Sequence, residues 1–341
     1  MNSENRSSQT AQCFGPQNEL RIELVHSTLP LLSGTGIVLI AGRKLSAQSE
    51  RKGVVYVNGE YLSANDAKIS VFDQGFLFGD GVFDTMIVKN GFLFSLDAHL
   101  DRLFRSAKAV MIRVPIDREQ LKATIIETVR RSGLQDAYVK AIVTRGVGKK
   151  PVMGKGETAR PTIVVFAVPP VSIVEQEKIE KGAVLISTTT KKPLDPRIKS
   201  LDYLYNMLTR LEAVQNGADE AISYDDEGHV TEAGAANIFI VKGRALVTPA
   251  SGVLEGITRE AVMEIAKSMG YEILRADLTQ YDIYTADEVF ICSTAGGIFP
   301  VTVADGREIG IGKVGKVTRE ILDHYNTWLS QGTRGTPIYK S

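Results

Sequence analysis

Lys199 is the residue whose type and surroundings point most directly to chemistry. It lies in the stretch 195–200, where nearby prolines keep the chain extended, and the leucine-rich segment 201–211 that follows has helical spacing. An amine at such a rigid junction can be aimed into a cleft and lose its water, which lowers its pKa and suits it to Schiff-base chemistry. From the residues alone a solvated lysine is an equally simple interpretation, and Lys191 and Lys192 compete for any special role.

Three further motifs accompany this lysine in order along the chain. Each one carries glycine together with a carboxylate, a hydroxyl or an amide: Thr231-Glu232-Ala233-Gly234 with Asn237, Gly256-Ile257-Thr258-Arg259, and Ser293-Thr294-Ala295-Gly296. The second motif opens a predicted helix, whose N-terminus exposes unpaired N–H groups and favours anions. Taken singly, Glu232 is a surface carboxylate after a turn, and Thr258 is an ordinary helix cap.

Together with the segment Lys199-Ser200-Leu201-Asp202-Tyr203, these motifs resemble the class IV aminotransferases, which use pyridoxal 5′-phosphate (PLP). The family includes branched-chain and D-amino acid aminotransferases, (R)-selective amine transaminases and aminodeoxychorismate lyases. The resemblance runs from about Val54 to about Trp328. It implies an α/β (α+β) fold of two domains, a smaller N-terminal α/β domain and a larger C-terminal domain with a β-barrel-like core.

The resemblance also implies roles for individual residues. Lys199 holds the cofactor as a Schiff base and then moves a proton between the substrate Cα and C4′ of the cofactor. Glu232 meets the pyridine nitrogen, where an anion keeps that nitrogen protonated, and Tyr203 hydrogen-bonds the phenolate. The remaining cofactor residues are the phosphate ligands and one residue that packs on the ring: Arg102, Ile257, Thr258, Thr294 and Leu254.

The same resemblance implies a substrate pocket lined by Phe78, Phe83, Thr85 and Ala295. The stretch 76–85 is rich in glycine, but neither a following Gly-Lys-Ser/Thr nor a strand-to-helix context supports a phosphate loop, so a tight turn is predicted there.

Several positions depart from the family pattern. Asp202 stands where Asn is frequent, and Thr85 and Ile87 stand where branched-chain enzymes have glycine and arginine. D-amino acid members hold the substrate carboxylate with a pair of residues, an arginine and a histidine, and this pair is not found near residues 145–150. The expected function is PLP-dependent transamination of the branched-chain type, with an (R)-selective amine or D-amino acid transaminase, or an aminodeoxychorismate lyase, as alternatives.

Composition narrows the possible partners. The 341 residues carry 40 basic and 40 acidic side chains, so charge gives no reason to expect nucleic acid or a membrane surface. The two cysteines, Cys13 and Cys292, suit a reducing compartment, and a cytoplasmic location is expected. No metal-ligand cluster is evident, and the apolar run 37–41 is too short to span a bilayer. Family members are homodimers, which implies a homodimer here.

Three segments are predicted: an N-terminal extension (1–53), a small domain (54–170) that ends at a Pro-Pro pair, and a large PLP-binding domain (171–341). Apolar spacing and turn residues predict the elements that position the site. They are hairpins over 54–62 and 84–96, a helix over 97–111 with Asp97 as N-cap, and helices over 118–131, 259–269 and 314–329. On the helix 97–111, Arg102 falls nearly opposite the apolar stripe.

Overall fold

The computed structural model describes residues 52–150, 152, 160–171, 176–191 and 193–339. The predicted apolar segment 37–41 and nearly all of the N-terminal extension lie outside these residues. Within the described part of the chain, the strands form a seven-stranded sheet and a nine-stranded sheet. The same part of the chain contains no helix that is both long and apolar enough to cross a bilayer.

The first sheet is antiparallel throughout and has the order β16-β4-β3-β5-β6-β1-β2. Its strands are β1 (Val54–Val57), β2 (Glu60–Ser63), β3 (Gly81–Lys89), β4 (Phe92–Phe94), β5 (Ala137–Val147), β6 (Arg160–Val168) and β16 (Gly335–Pro337). Both predicted hairpins are present, because Asn58 and Asn90 adopt the positive φ that their turns require. The C-terminal strand β16 pairs with β4 and was not predicted. The division at residue 170 stays a prediction, and β16 crosses it.

Three helices accompany this sheet: α1 (Gln74–Phe78), α2 (Leu96–Ala109) and α3 (Arg118–Ser132). Helices α2 and α3 bury their apolar faces against the sheet in one cluster that includes Leu100, Leu103 and Leu121. A reciprocal capping box between Asp117 and Gln120 begins α3, close to the predicted start.

Two local predictions in this half of the chain are wrong. The N-cap of α2 is Ser95 in the left-handed conformation, and Asp97 lies instead in the first turn, where Arg118 and Lys122 donate to its side chain. The stretch 76–85 is not a simple turn, because α1 occupies its first part and ends at Gly79 with φ of 69°. Asp73 begins this short helix by accepting from the N–H of Gly75 at 2.8 Å, as an N-cap does.

The second sheet is mixed and has the order β12-β11-β10-β13-β14-β7-β8-β9, with β15 paired to β14. Its strands are β7 (Ala183–Ser187), β8 (Glu220–Tyr224), β9 (Val230–Ala233), β10 (Asn237–Lys242), β11 (Ala245–Pro249), β12 (Glu272–Ala276), β13 (Glu288–Ser293), β14 (Gly297–Ala304) and β15 (Arg307–Glu308). Three neighbouring pairs are parallel, β7 with β8, β7 with β14 and β11 with β12.

The helices of this half are α4 (Gln176–Lys181), α5 (Leu204–Gln215), α6 (Ile257–Ser268), α7 (Gln280–Tyr284) and α8 (Lys316–Gln331). Helices α6 and α8 share an apolar cluster with one face of the sheet, and Cys292 is buried in it. Burial raises the pKa of this thiol to about 12, so Cys292 behaves as a small core residue.

Helix α5 exposes its apolar side chains rather than burying them. They recur every three or four residues along one face, which we call the α5 apolar face: Leu204, Met207, Leu208, Leu211 and Val214, each about half exposed or more. A second set of exposed apolar residues precedes β3, and we call it the α1 patch: Ile69, Val71, Phe72, Phe76, Leu77 and Phe78. Two exposed apolar surfaces of this kind are unusual in a chain that stays monomeric.

Candidate active site

A cavity of about 580 Å³ lies between the two sheets. One wall comes from β3 and β5, which contribute Phe83, Thr85, Tyr138 and Lys140. The opposite walls come from the second sheet and from the loops that precede α5 and α6. A cavity of this size is in the range of small-molecule sites.

Backbone hydrogen bonds hold the loop that carries Lys199 against the first sheet. Phe83 donates its N–H to the carbonyl oxygen of Lys199 at 3.0 Å, and Leu201 donates to the carbonyl oxygen of Gly81 at 2.8 Å. The N–H of Lys199 donates to Ser106 Oγ of α2 at 3.1 Å. The segment therefore acts as a short additional strand beside β3. The extended chain predicted from the prolines is wrong, because residues 195–198 form a turn in which Ile198 donates its N–H to the carbonyl oxygen of Asp195 at 3.0 Å, and the junction owes its rigidity to the contacts with β3 and α2 instead.

The Lys199 amine lies among aromatic rings and a second amine. Its Nζ is 3.4 Å from Tyr203 Oη and 4.8 Å from the ring centroid of Phe83. Lys140 Nζ lies 4.1 Å from the same centroid. Burial, and next the positive charge of Lys199, lower the pKa of the Lys140 amine. Two amines therefore share one apolar wall of the cavity.

The sequence reasoning missed Tyr138 and Lys140, although a signal exists. Along β5 they alternate with the fully buried Val139 and Ala141, so they lie on the opposite face of the strand. Polar residues on that face suggest solvent, whereas the structure places the face against the cavity.

Glu232 lies on β9 and is 5% exposed. Its Oε2 accepts from the N–H of Leu254 at 2.9 Å, and the amide of Asn237 donates to the carbonyl oxygen of Leu254 at 3.0 Å. Leu254 is therefore held from both sides, and its side chain lines the cavity beside the carboxylate. A buried carboxylate next to an apolar ring-sized surface suits a flat heterocycle with a protonated nitrogen.

The N-terminus of α6 opens into the same cavity. Helix α6 begins at Ile257, two residues earlier than predicted, and its N-cap Gly256 offers no side chain to the first N–H groups. Thr258 and Thr294 line the cavity, and so does Arg102 of α2, whose Nη1 donates to the carbonyl oxygen of Glu255 at 3.0 Å. Open helix N–H groups, hydroxyls and a guanidinium form a donor set that fits a phosphate.

Nearly all predicted site residues line this one cavity. Those that do so are Lys199, Arg102, Tyr203, Glu232, Leu254, Ile257, Thr258, Thr294, Phe83, Thr85 and Ala295. Phe78 does not, because it ends α1 with 41% of its surface exposed. Asp202 also lines the cavity. The individual roles of these residues remain predictions.

Arg102 is not the solvated residue that its position on the helical wheel indicates. It is 3% exposed, because the side of α2 opposite the leucines also packs, with Ala98 against the apolar cluster of α6 and α8 and with Arg102 against the loop before α6. The buried Asp84 and His99 surround it. The sequence offers no signal for this arrangement, since a helix with two packed sides cannot be recognised from one apolar stripe.

The structure also brings together a group of metal-ligand type that the sequence reading did not notice. Asp225, Glu227 and His229 meet at the turn between β8 and β9, where His229 Nδ1 is 3.3 Å from Asp225 and 3.8 Å from Glu227. These side chains are partly or fully exposed and pair with one another, and they do not line the cavity. Nothing else at this turn points to a bound ion.

A lysine, a buried acid and a phosphate-type donor set around one cavity define the site of a pyridoxal 5′-phosphate enzyme. Residues 81–304 match the family model described as amino-transferase class IV. The chain belongs to the class IV aminotransferases and is a PLP-dependent transaminase.

Individual relatives agree with this assignment. A putative branched-chain-amino-acid aminotransferase of Methanocaldococcus jannaschii is 40% identical over 273 residues, which cover 80% of this chain and 94% of that protein. The D-alanine aminotransferase of Listeria innocua is 34% identical over 274 residues, with the same coverage of 80% and 94%. The crystal structure of the branched-chain amino acid aminotransferase from Thermobaculum terrenum in its PLP form superimposes with a TM-score of 0.78, at 25% identity, over 85% of this chain and 100% of that one.

Proposed function

We propose that this enzyme transfers the amino group of a branched-chain L-amino acid to a 2-oxo acid. The observation that carries the proposal is the single cavity in which the Lys199 amine, the Glu232 carboxylate and the donor set at the start of α6 meet. Similarity to relatives named branched-chain aminotransferases supports the choice of substrate.

The cofactor supplies an electron-accepting ring when it is bound. Lys199 Nζ accepts the proton that leaves the substrate Cα, and the hydroxyl of Tyr203, 3.4 Å away, orients that amine. Glu232 holds a proton on the ring nitrogen, while Leu254 packs on the ring. The start of α6, together with Arg102 and Thr294, binds the phosphate.

The wall formed by β3 and β5 suits an amino acid better than a simple amine. Phe83 presents an aromatic surface to an aliphatic side chain, and Lys140 adds a cation directly above it. Among the described residues, no carboxylate forms an ion pair with the Lys140 amine, so a substrate carboxylate is its natural counter-ion. Thr85, opposite Lys140 in the strand register, offers a hydroxyl to the same group.

A D-amino acid transaminase is the second candidate, because relatives named D-alanine aminotransferases reach 34% identity. A half-reaction decides between the two. We expect L-leucine and L-valine to discharge the absorbance of the PLP form much faster than D-alanine or (R)-1-phenylethylamine. Discharge by D-alanine alone would reverse the stereochemistry and leave the cofactor assignment unchanged.

A Lys140→Met variant tests the carboxylate contact in the same assay. We expect the Kd for L-leucine to rise about 10-fold, the size of one charge-assisted hydrogen bond, while 3-methylbutylamine, which lacks the carboxylate, is unaffected. Equal effects on both donors would show that Lys140 acts on the pocket as a whole rather than on the carboxylate.

The enzyme is also proposed to form a homodimer. The α5 apolar face is continuous with the cavity through Val214, and it leaves a row of aliphatic side chains in solvent in the single chain. The α1 patch adds Phe72, Phe76 and Phe78, three exposed aromatic rings just before β3. A second copy of the chain would bury such surfaces.

Leu208→Glu on the α5 apolar face is expected to shift the protein toward monomer, because a buried carboxylate in an apolar interface costs several kcal/mol. Light scattering measures the mass. The matched control is Ile311→Glu, since Ile311 is 80% exposed and lies outside both surfaces. A wild-type protein that is already monomeric would remove the dimer from the proposal.

Two points of organisation belong to the same proposal. The chain is proposed to divide near residue 170 into a small domain built on the first sheet and a large PLP-binding domain. A cytoplasmic location is proposed because the buried Cys292 is a free thiol, as suits a reducing compartment.

A further inference from the structure

Asp84 occupies the position on β3 between Phe83 and Thr85, both of which line the cavity, and its own carboxylate contacts α2 instead. Asp84 Oδ1 lies 2.7 Å from His99 Nδ1 and 2.8 Å from Arg102 Nη2, and Oδ2 accepts from Arg102 Nε at 2.8 Å. All three side chains are at most 3% exposed.

The charges in this cluster are fixed by the contacts. Burial opposes ionisation of Asp84, but the Arg102 charge and the hydrogen bonds from His99 and Arg102 outweigh it and hold the pKa of the carboxyl well below its ordinary range. Burial lowers the pKa of His99, so the ring is neutral near pH 7 and donates its Nδ1–H to Asp84. The carboxylate is therefore ionised at neutral pH, and one buried anion faces one buried cation.

The geometry of the guanidinium shows what this pairing does. Asp84 accepts hydrogen bonds from Nε–H and from one N–H of Nη2, which together form the side-on edge of the planar guanidinium. The carbonyl oxygen of Glu255 accepts a hydrogen bond from one N–H of Nη1. Of the five N–H donors of Arg102, two remain, one on each terminal nitrogen. Glu255 directly precedes the N-cap of α6, so Arg102 spans from β3 to the phosphate-type donor set.

We propose that Asp84, supported by His99, is a positioning residue that fixes the Arg102 guanidinium so that its end-on edge meets the cofactor phosphate. The inference rests on the proposed function, because it takes Arg102 as a phosphate ligand. A long side chain held on one edge by a buried bidentate contact loses little freedom when the other edge binds an anion, and binding is stronger for that reason.

Asp84→Asn tests the inference through cofactor binding rather than through turnover. The apo forms are titrated with PLP and with pyridoxal, which has the same ring and aldehyde without the phosphate, and absorbance gives each Kd. We expect Asp84→Asn to weaken PLP binding about 10- to 100-fold, the range of a hydrogen bond to a charged group, and to change pyridoxal binding less than about 2-fold. Equal losses for both ligands, or no loss for PLP, would overturn the inference.

Two controls separate positioning from damage to the fold. Asp73→Asn removes another buried carboxylate, one that caps α1 and accepts from Thr144, and we expect it to lower stability without changing the ratio of the two affinities. His99→Gln keeps the Asp84–Arg102 pair and removes the ring donor, so it should fold even where Asp84→Asn does not. We expect a smaller loss of the same sign, selective for PLP, and an unchanged ratio would contradict the inference.

Arg102→Met distinguishes failure of the inference from failure of the proposed function. If Arg102→Met loses the preference for PLP and Asp84→Asn keeps it, Arg102 binds the phosphate without the help of Asp84 and only the inference fails. If the wild-type protein binds PLP no better than pyridoxal, the proposed phosphate site fails as well.

Discussion

Lys199→Ala is expected to lower the rate of amino transfer by at least about 10⁴-fold, because in the proposed function this one amine both attaches the cofactor and moves the substrate proton. The position of this lysine is set by backbone contacts to β3 and α2, which an alanine preserves. The variant should therefore fold normally and fail in chemistry alone. Single-turnover absorbance with L-leucine measures the loss.

A second measurement identifies the attached residue directly. Borohydride reduction of the wild-type PLP form should link the cofactor irreversibly to a peptide that contains Lys199, and the same treatment of Lys199→Ala should link none. Lys191→Ala is the matched control, since Lys191 is exposed and pairs with Asp226. Recovery of a labelled peptide from Lys199→Ala would move the covalent role to another lysine, and Lys140 is the amine in the cavity that would then be tested first.

Glu232→Gln is expected to lower the rate roughly 10²- to 10³-fold, the cost of removing one preorganised electrostatic contact from a reacting group. A glutamine oxygen can still accept from the N–H of Leu254, so the loop before α6 keeps its support. The variant loses the negative charge that, in the proposed function, holds a proton on the ring nitrogen. The effect should therefore appear in kcat while cofactor occupancy stays high.

The control for this variant is Glu227→Gln, which neutralises an exposed carboxylate at the turn before β9. It should leave both kcat and cofactor binding unchanged. A fall in kcat for Glu232→Gln that matches a loss of bound cofactor would assign Glu232 to the structure of the site and would take away its electronic role.

Local sequence signals predicted the elements where one physical cause dominates. Helix α3 (Arg118–Ser132) has nearly the predicted bounds, because a capping box from Asp117 begins it and Gly133 with φ of 67° ends it. The two hairpins follow from Asn-Gly turns, whose positive φ few other residues accept. The motifs around Lys199, Glu232 and Thr258 likewise lie at the ends of elements, where local pattern and site coincide.

Features that depend on distant partners could not be read from the sequence. Asp84 and Arg102 are 18 residues apart and meet only because α2 packs on β3. Strand β16 is three residues long and gains its hydrogen bonds from β4, so it carries no pattern of its own. The leucines of α5 have the spacing of a core-facing helix, yet they are exposed within one chain. An apolar stripe on a helix predicts that its side chains are buried, but it does not show whether they pack against the same chain or against another one.

The backbone contacts between the Lys199 loop and β3 couple the amine to the wall of the cavity that carries Phe83. The loop that carries Lys199 is hydrogen-bonded to Phe83 and Gly81 of β3. Any shift of the first sheet therefore moves the amine and the aromatic wall together. Relative movement of the two sheets therefore leaves the distance from Nζ to that wall unchanged. Glu232 lies on β9 of the second sheet. A displacement of the first sheet should therefore leave the spacing between the amine and the Phe83 ring unchanged, and that spacing limits the size of a substrate side chain held between them.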